Sequence, residues 1–428
     1  MKPSRYNVYF GRGTQSYVYN TLTSAIVRLE SGSEIRVDDP TLKSLGIAVD
    51  DDDDEYSKFV YYFERTRFLV KNRVLSVVYV PTYACNLCCS YCYENAGRAS
   101  ARPSVARQGA DPVAAFLRGA MGADEVQEVE LSLYGGEPLL HAEECIRLFD
   151  VVRVAAQGCG KRFSSRILTN GTLMTDAVIE KLIVPNRMVV QLTFDGLDRT
   201  HDAKRIRHDG TGTFGETLAL VEKFSRQGLS DLLTVRINVD RGNVSELDGL
   251  CGLLEGKAAR VYVSPLESIG RYQNCGDSCF RLGEYKSRQY YQLGKVLERH
   301  GFPLVFRPFG KRRPCTFFSS NKFVFDAEGD AYRCFAVAGM REHSVGRLTI
   351  GGTFEPNANY YRQTMHLPFL HGKCQDCKLL PICAGGCPKR RFFEHGSMEG
   401  YACELTEEEL KTMLVEYVRR MEDADVRA

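Results

Sequence analysis

Val74-Leu75-Ser76-Val77-Val78-Tyr79-Val80 leads through Pro81-Thr82-Tyr83-Ala84 into Cys85-Asn86-Leu87-Cys88-Cys89-Ser90-Tyr91-Cys92. The opening run is rich in β-branched residues, which predicts a buried strand. The cysteines that follow it, Cys85, Cys89 and Cys92, stand as C-x3-C-x2-C. Three thiolates in one tight loop can hold three corners of a cubane iron–sulfur cluster and leave the fourth iron open. An open iron takes a small chelating ligand, so this spacing points to a reaction centre more than to a structural clip.

Further apolar runs recur downstream at Val129–Tyr134, Phe163–Leu168, Met188–Phe194, Leu233–Val239 and Arg260–Val263, with amphipathic helical stretches between them. Thr213 with Glu216, and Asn243 with Glu246, carry the spacing of a capping box at a helix start. Six β-α units in a row predict an α/β fold with a parallel sheet. Six falls short of a closed eight-stranded ring, so residues 74–300 are expected to form an open, partial (β/α)6 barrel. Chemistry in such folds gathers at the C-terminal strand ends.

Residues 1–73 read as a small α+β module. Tyr6–Phe10 and Ser16–Tyr19 predict a hairpin across Gly11-Arg12-Gly13, and helices are expected over about Thr21–Glu30 and Glu55–Leu69. The acidic run Asp50–Asp54 favours the N-terminus of the second helix. Residues 301–404 lose the strand–helix alternation and become cysteine-rich, a composition that would need metal to support a thin core. Thr406 with Glu409 opens a last helix in residues 405–428, whose stripe Leu410, Met413, Leu414, Tyr417 and Met421 should pack on the body.

The chain has 428 residues and a formal charge of +2, so no excess of positive charge points to nucleic acid. No apolar run reaches membrane-spanning length and no signal-like segment opens the chain, which reads as cytoplasmic. Sixteen cysteines in a reducing compartment favour iron–sulfur or metal sites over disulfides. Ten fall into motifs; Cys88, Cys145, Cys159, Cys251, Cys275 and Cys279 are left over and read as small buried hydrophobes.

The second predicted strand ends in Gly135-Gly136-Glu137-Pro138, where two glycines allow close backbone approach and Glu137 can accept hydrogen bonds from an ammonium group. The third ends in Thr169-Asn170-Gly171 and the fourth in Thr193-Phe194-Asp195-Gly196, with Arg205 shortly after. Arg205 suits a bidentate carboxylate, although a structural salt bridge is the plain alternative.

Together these residues resemble the radical S-adenosylmethionine (SAM) superfamily. Cys85, Cys89 and Cys92 match its cysteine triad, and Tyr91 its adenine-facing aromatic position. Gly135, Gly136 and Glu137 match the segment that binds the methionine amine; Thr193 and Arg205 match contacts to the ribose and carboxylate. The resemblance implies that a reduced 4Fe–4S cluster passes one electron to SAM, and that the 5′-deoxyadenosyl radical then takes hydrogen from an unactivated C–H bond. The cofactors carry the hard step and the protein positions the target.

Behind the predicted barrel stand Cys315-x13-Gly329-x4-Cys334, then Cys374-x2-Cys377-x5-Cys383-x3-Cys387, then Cys403. Paired thiolates alone would suit zinc. At these spacings they resemble the SPASM domain, which implies a distal cluster on Cys374, Cys377, Cys383 and Cys403. Cys315, Cys334 and Cys387 would then supply three ligands of a proximal cluster, making three 4Fe–4S clusters in all. No cysteine lies in the stretch Arg307–Pro314. The proximal cluster's fourth ligand is therefore Cys275, Cys279 or an open position. Sulfatase-maturating relatives place an aspartate after the cysteine aligned with Cys334; this chain has Phe335. Lys311-Arg312-Arg313 and Lys389-Arg390-Arg391 flank cluster cysteines and read as solvated surface charge, as an offset to cluster charge or as a guide for an acidic peptide.

Residues 17–27 resemble the winged-helix-like leader-binding module of enzymes that modify ribosomally made peptides, where a leader adds as a β-strand. The resemblance therefore implies a peptide maturase that forms a thioether or C–C cross-link. Its partners would be a precursor peptide with a leader and a reductant such as flavodoxin or ferredoxin. The alternatives are a SPASM maturase of a folded protein (sulfatase-like or quinohemoprotein-like) or of a quinone-cofactor precursor, and, outside enzymes, a zinc-binding interaction protein.

Overall fold

The computed structural model describes residues 1–30, 35–65, 73–92, 94, 107–266, 276–280, 289–303, 315–370, 372–397 and 400–425. Cys275, the stretch 307–314 with its basic run at 311–313, and the expected end of the second helix at Leu69 lie outside these residues.

Six strands, Val74–Val80, Glu128–Leu133, Arg162–Leu168, Val189–Phe194, Leu233–Val239 and Arg260–Pro265, lie side by side in chain order, each parallel to the next. Period-two alternation sorts their side chains. Val77, Leu131, Ile167, Leu192, Ile237 and Val261 join one core with the helices Asp111–Met121, Ala142–Gly158, Phe214–Arg226 and Leu247–Leu254. The intervening residues, among them Ser132, Gln191, Thr193, Arg236 and Asn238, are mostly polar and belong to the opposite face of the sheet. The first and sixth strands do not pair, so the sheet stays open.

The sheet does not stop at the sixth strand in sequence. Lys322–Asp326 pairs in parallel with Val74–Val80, and Asp330–Tyr332, Gly346–Leu348 and Phe354–Pro356 extend the sheet antiparallel to a total of ten strands. The cysteine-rich region is thus built onto the free edge of the first strand. That edge carries unpaired backbone groups that need a partner. Phe323 and Phe325 secure the addition by packing edge-on against Phe116, with ring centroids 5.5 and 5.1 Å apart.

In the front segment, Asn7–Arg12, Gln15–Asn20 and Ile26–Leu29 form an antiparallel meander. The helix expected over Thr21–Glu30 is therefore a turn and a strand. Asn20 Oδ1 accepts from the Leu22 and Thr23 amides, both at 3.0 Å, and Ser24 sits at φ 65°, which together stop a helix from starting. β-branched Ile26 and Val27 then favour the sheet. Helix Glu55–Glu64 is capped by Asp54, whose carboxylate accepts from the Ser57 amide. Its Phe59 and Phe63 pack on Phe369 and Phe318 of the cysteine-rich region. The last helix, Glu407–Asp425, begins with the expected reciprocal cap between Thr406 and Glu409. Leu410, Leu414 and Val418 pack on Val8, Phe10, Tyr17 and Tyr19, while Met421 stays exposed. The front and back of the chain thus close on each other.

Two other helix starts lie where the sequence places them but are capped differently. Asp202 Oδ1 accepts from the Thr213 and Phe214 amides at 2.7 and 2.8 Å, while Glu216 pairs with Arg207. Glu246 accepts from the Leu197 amide and the Thr200 hydroxyl instead of reaching back to Asn243. Among the described residues no helix is long and apolar enough to cross a membrane.

Candidate active site and cysteine arrays

Cys85, Cys89, Tyr91, Cys92, Gly135, Gly136, Thr193 and Arg205 line one cavity of about 200 Å³ at the C-terminal ends of the parallel strands. The cysteine loop is pinned on the fourth unit: the Cys88 amide donates to Ile206 O at 2.8 Å and the Ser90 amide to Lys204 O at 3.0 Å. Cys88 also points its thiol at Ile206 O and Arg207 O, both at 3.5 Å, which gives this left-over cysteine a structural role.

The two glycines hold a turn against the segment that enters the cysteine loop. Gly136 N donates to Thr82 O at 3.1 Å and Glu137 N to Ala84 O at 2.9 Å. A Cβ on Gly136 would collide with the carbonyls of Tyr83 and Ala84, and Gly135 adopts φ 137°. Glu137 is fully buried and outside the cavity lining. Its carboxylate accepts from the Leu139 amide (3.0 Å), the Thr169 hydroxyl (2.8 Å) and the Asn170 amide (2.8 Å). Burial raises its pKa, and those hydrogen bonds oppose the rise. Glu137 therefore locks the third strand end in place. Asn170 carries that order onward, with its Nδ2 3.8 Å from Cys85 Sγ and 2.8 Å from Asn86 Oδ1.

Tyr91 is anchored through its hydroxyl, which donates to Asp195 Oδ2 at 2.7 Å and accepts from Arg205 Nη1 and Asn238 Nδ2, both at 3.0 Å. Arg205 lies 3.6 Å from the fully buried Asp195, so it takes part in an internal ion pair as well as lining the cavity. His201 backs this network. Its Nδ1 faces the Asp195 amide at 3.4 Å, its Nε2 faces Thr213 Oγ1 at 3.2 Å, and burial lowers its pKa to about 3. Gln191, Arg236 and Asn238 also line the cavity. Sequence reasoning did not single them out; their position on the polar face near the strand ends was the available signal. The Cys89 thiol is pushed up to about 11, mainly by burial, with Arg205 opposing and Cys92 and Cys85 adding to the rise.

All ten motif cysteines are free thiols. The downstream seven fall into two groups. Cys334 is raised to about 12, first by burial, with Cys315 and Cys387 as its thiol neighbours. Cys374 is raised to about 11, again first by burial, with Cys383, Cys377 and Cys403 as neighbours. Cys279 is buried and disulfide-bonded, so it offers no free thiol to the first group. The first group adjoins the cavity: Phe335, next to Cys334, packs its ring 4.9 Å from that of the cavity-lining Tyr134.

An open α/β sheet with a thiol-lined cavity at its strand ends defines a metal-cluster enzyme of the partial-barrel class. The comparisons agree: residues 79–250 match the Radical SAM superfamily. Mycofactocin maturase MftC of Mycolicibacterium smegmatis is 26% identical over 339 residues, covering 74% of this chain and 79% of that protein. The serine-type anaerobic sulfatase-maturating enzyme of Klebsiella aerogenes is 25% identical over 329 residues, covering 71% and 77%. The solved structure of anSMEcpe with bound AdoMet shares the fold at a TM-score of 0.61 and 16% identity, covering 82% of this chain and all of that one. The family implies SAM and one 4Fe–4S cluster. The donor set fits both: three free thiols in one loop, beside a glycine turn that a side chain would close. The zinc-binding, non-enzymatic alternative is set aside by this match.

Proposed function

We propose that this radical SAM enzyme is a maturase that modifies a ribosomally made peptide, forming a thioether or C–C cross-link. The observation that carries the reading is the convergence of the triad, the glycine turn and four strand ends on one cavity, with a second cysteine group at its rim through the Tyr134–Phe335 contact. Cys85, Cys89 and Cys92 would hold the SAM-binding cluster, and Tyr91, Gly135, Gly136, Thr193 and Arg205 would hold SAM. When bound, these cofactors supply a deoxyadenosyl radical that abstracts hydrogen from the peptide. Glu137 acts at one remove, by fixing Thr169 and Asn170. Tyr91, tied to Asp195, Arg205 and Asn238, gives the cavity a rigid wall and limits the water it admits.

Cys315, Cys334 and Cys387 would hold a proximal auxiliary cluster, and Cys374, Cys377, Cys383 and Cys403 a distal one, as in a SPASM domain. The fourth position of the proximal cluster would be open to substrate, since Cys279 is disulfide-bonded. A flavodoxin- or ferredoxin-class protein would supply electrons. The leader would add to an outer strand of the front meander, Ile26–Leu29, whose Arg28 is exposed. A maturase of a folded protein is the second reading, favoured by the likeness to the Klebsiella enzyme. Phe335 speaks against its sulfatase form, because an aromatic ring cannot take a proton where those relatives carry a carboxylate.

Anaerobic reconstitution tests the assignment. The protein should bind roughly twelve irons per chain for three cubanes, and the Cys85→Ala/Cys89→Ala/Cys92→Ala variant roughly eight. That variant should release no deoxyadenosine from SAM under dithionite. Continued release would remove the triad from the reaction. Arg28→Pro should impair modification of the precursor peptide while leaving peptide-free SAM cleavage at its normal rate; equal losses would assign the meander a folding role only.

A further inference from the structure

Helix Pro388–His395 begins directly after Cys387, and its fourth residue, Arg391, is fully buried. One nitrogen of its guanidinium is used: Nη1 donates to the Gly400 carbonyl and faces His366 Nε2 at 3.3 Å. Nε and Nη2 are buried and have no hydrogen-bond partner among the described residues. No carboxylate pairs with Arg391 among the described residues. A buried cation with two unpartnered donors is strongly unfavourable unless something accepts from it, so these donors call for an acceptor beside them.

The groups around it point to sulfur as that acceptor. Its main electrostatic neighbours are thiols of both downstream groups: Cys387 and Cys315 from one, Cys374 and Cys383 from the other. Its backbone carries the same position. The Arg391 amide donates to Cys387 O at 3.1 Å, and Gly400, which accepts from its side chain, lies three residues before Cys403. The two groups also share one hydrophobic cluster, in which Cys374 is buried and Cys315, Cys334 and Cys377 pack against it. Lys389 and Arg390, its neighbours in the basic run, do not share this burial.

We infer that Arg391 is a positioning residue shared by the two auxiliary clusters, its Nε–H and Nη2–H donating to cluster or cysteine sulfur and its charge offsetting theirs. This rests on the auxiliary-cluster reading above. Hydrogen bonds to sulfur and nearby positive charge favour the more negative, reduced form of a cluster. Arg391 would therefore raise the reduction potentials of both auxiliary clusters and equip them to accept the electron that leaves the substrate after hydrogen abstraction.

Redox titration of the reconstituted enzyme, followed by electron paramagnetic resonance, tests this with Arg391→Met and Arg391→Lys. Iron content is measured on the same samples. Arg391→Met should lower both auxiliary midpoint potentials and leave that of the Cys85/Cys89/Cys92 cluster unmoved. Arg391→Lys, which keeps the charge and loses the fork, should give a smaller drop. Unchanged potentials at full iron content would overturn the inference. If Arg391→Met fails to hold auxiliary iron, the lysine variant decides by the same criterion. A wild-type protein that binds only roughly four irons would instead refute the auxiliary clusters themselves, and iron content reads that outcome before any potential is measured.

Discussion

Replacing Gly136 with alanine tests whether the glycine turn is a cradle or an ordinary bend. The new Cβ would stand 2.6 Å from the Tyr83 carbonyl oxygen and 2.6 Å from the Ala84 carbonyl carbon, where ordinary contact begins at 3.4 Å. Because the Ala84 carbonyl oxygen stands closer still, the backbone must open by more than about 0.8 Å, the difference between those two distances. Both obstructing groups are main chain, so no side chain can rotate to absorb the insertion. Overpacking of this kind costs about 1–3 kcal/mol. The displaced segment runs directly into Cys85, and a misplacement of about 1 Å at a reacting centre costs on the order of 100-fold in rate. Gly136→Ala should therefore lose about two orders of magnitude in deoxyadenosine release while its melting temperature falls by only a few degrees. Gly119→Ala is the control. Gly119 lies inside helix Asp111–Met121 with nothing within 4 Å of a new Cβ, so that variant should keep full activity and gain up to about 1 kcal/mol. Chromatographic quantification of deoxyadenosine under dithionite, with thermal unfolding on the same samples, gives both numbers. A Gly136→Ala enzyme that cleaves SAM at the wild-type rate would refute the cradle.

Tyr91→Phe removes the hydroxyl that joins Asp195, Arg205 and Asn238; the loss of about 1–3 kcal/mol should weaken SAM binding about tenfold or more in equilibrium dialysis, and unchanged affinity would detach that network from the site. His201 gives a pH signature, because its pKa falls from an ordinary 6.5 to about 3 on folding. The unfolded chain then takes up the proton first, so the stability His201 contributes is complete above about pH 6.5 and is lost as pH falls toward 3. At pH 5 the loss should reach about 2 kcal/mol in urea unfolding of the cluster-free protein. His201→Asn should flatten that part of the profile, and an identical profile in the variant would contradict a buried neutral imidazole.

The catalytic half of the chain is legible in sequence because its signals are local. A strand writes itself as seven consecutive residues, Val74–Val80, and a chelating loop as three cysteines within eight positions, Cys85–Cys92. Neither depends on what packs beside it. The Thr406–Glu409 cap is equally local and forms as spelled. The reading of Thr21–Glu30 failed because a short amphipathic pattern fits helix and strand alike, and pairing with Ser16–Tyr19 decided between them. Asp202 displaced Glu216 as a cap from eleven residues before Thr213, a distance at which spacing rules carry no information.

By itself, the sequence determined the chemistry: which thiols are available, that a parallel α/β sheet presents the first three of them, and that two glycines follow one unit later. Only the tertiary structure decided how those groups are held. It turned Glu137 away from the cavity and onto Thr169 and Asn170. It set Asp195 and Asn238 on the Tyr91 hydroxyl and stitched Lys322–Asp326 to the edge of the first strand. It also buried Arg391 among cysteines of both groups. The physical reason is range. Backbone preference and ligand spacing act within a few residues, whereas burial and hydrogen-bond satisfaction depend on which distant segments the fold brings into contact.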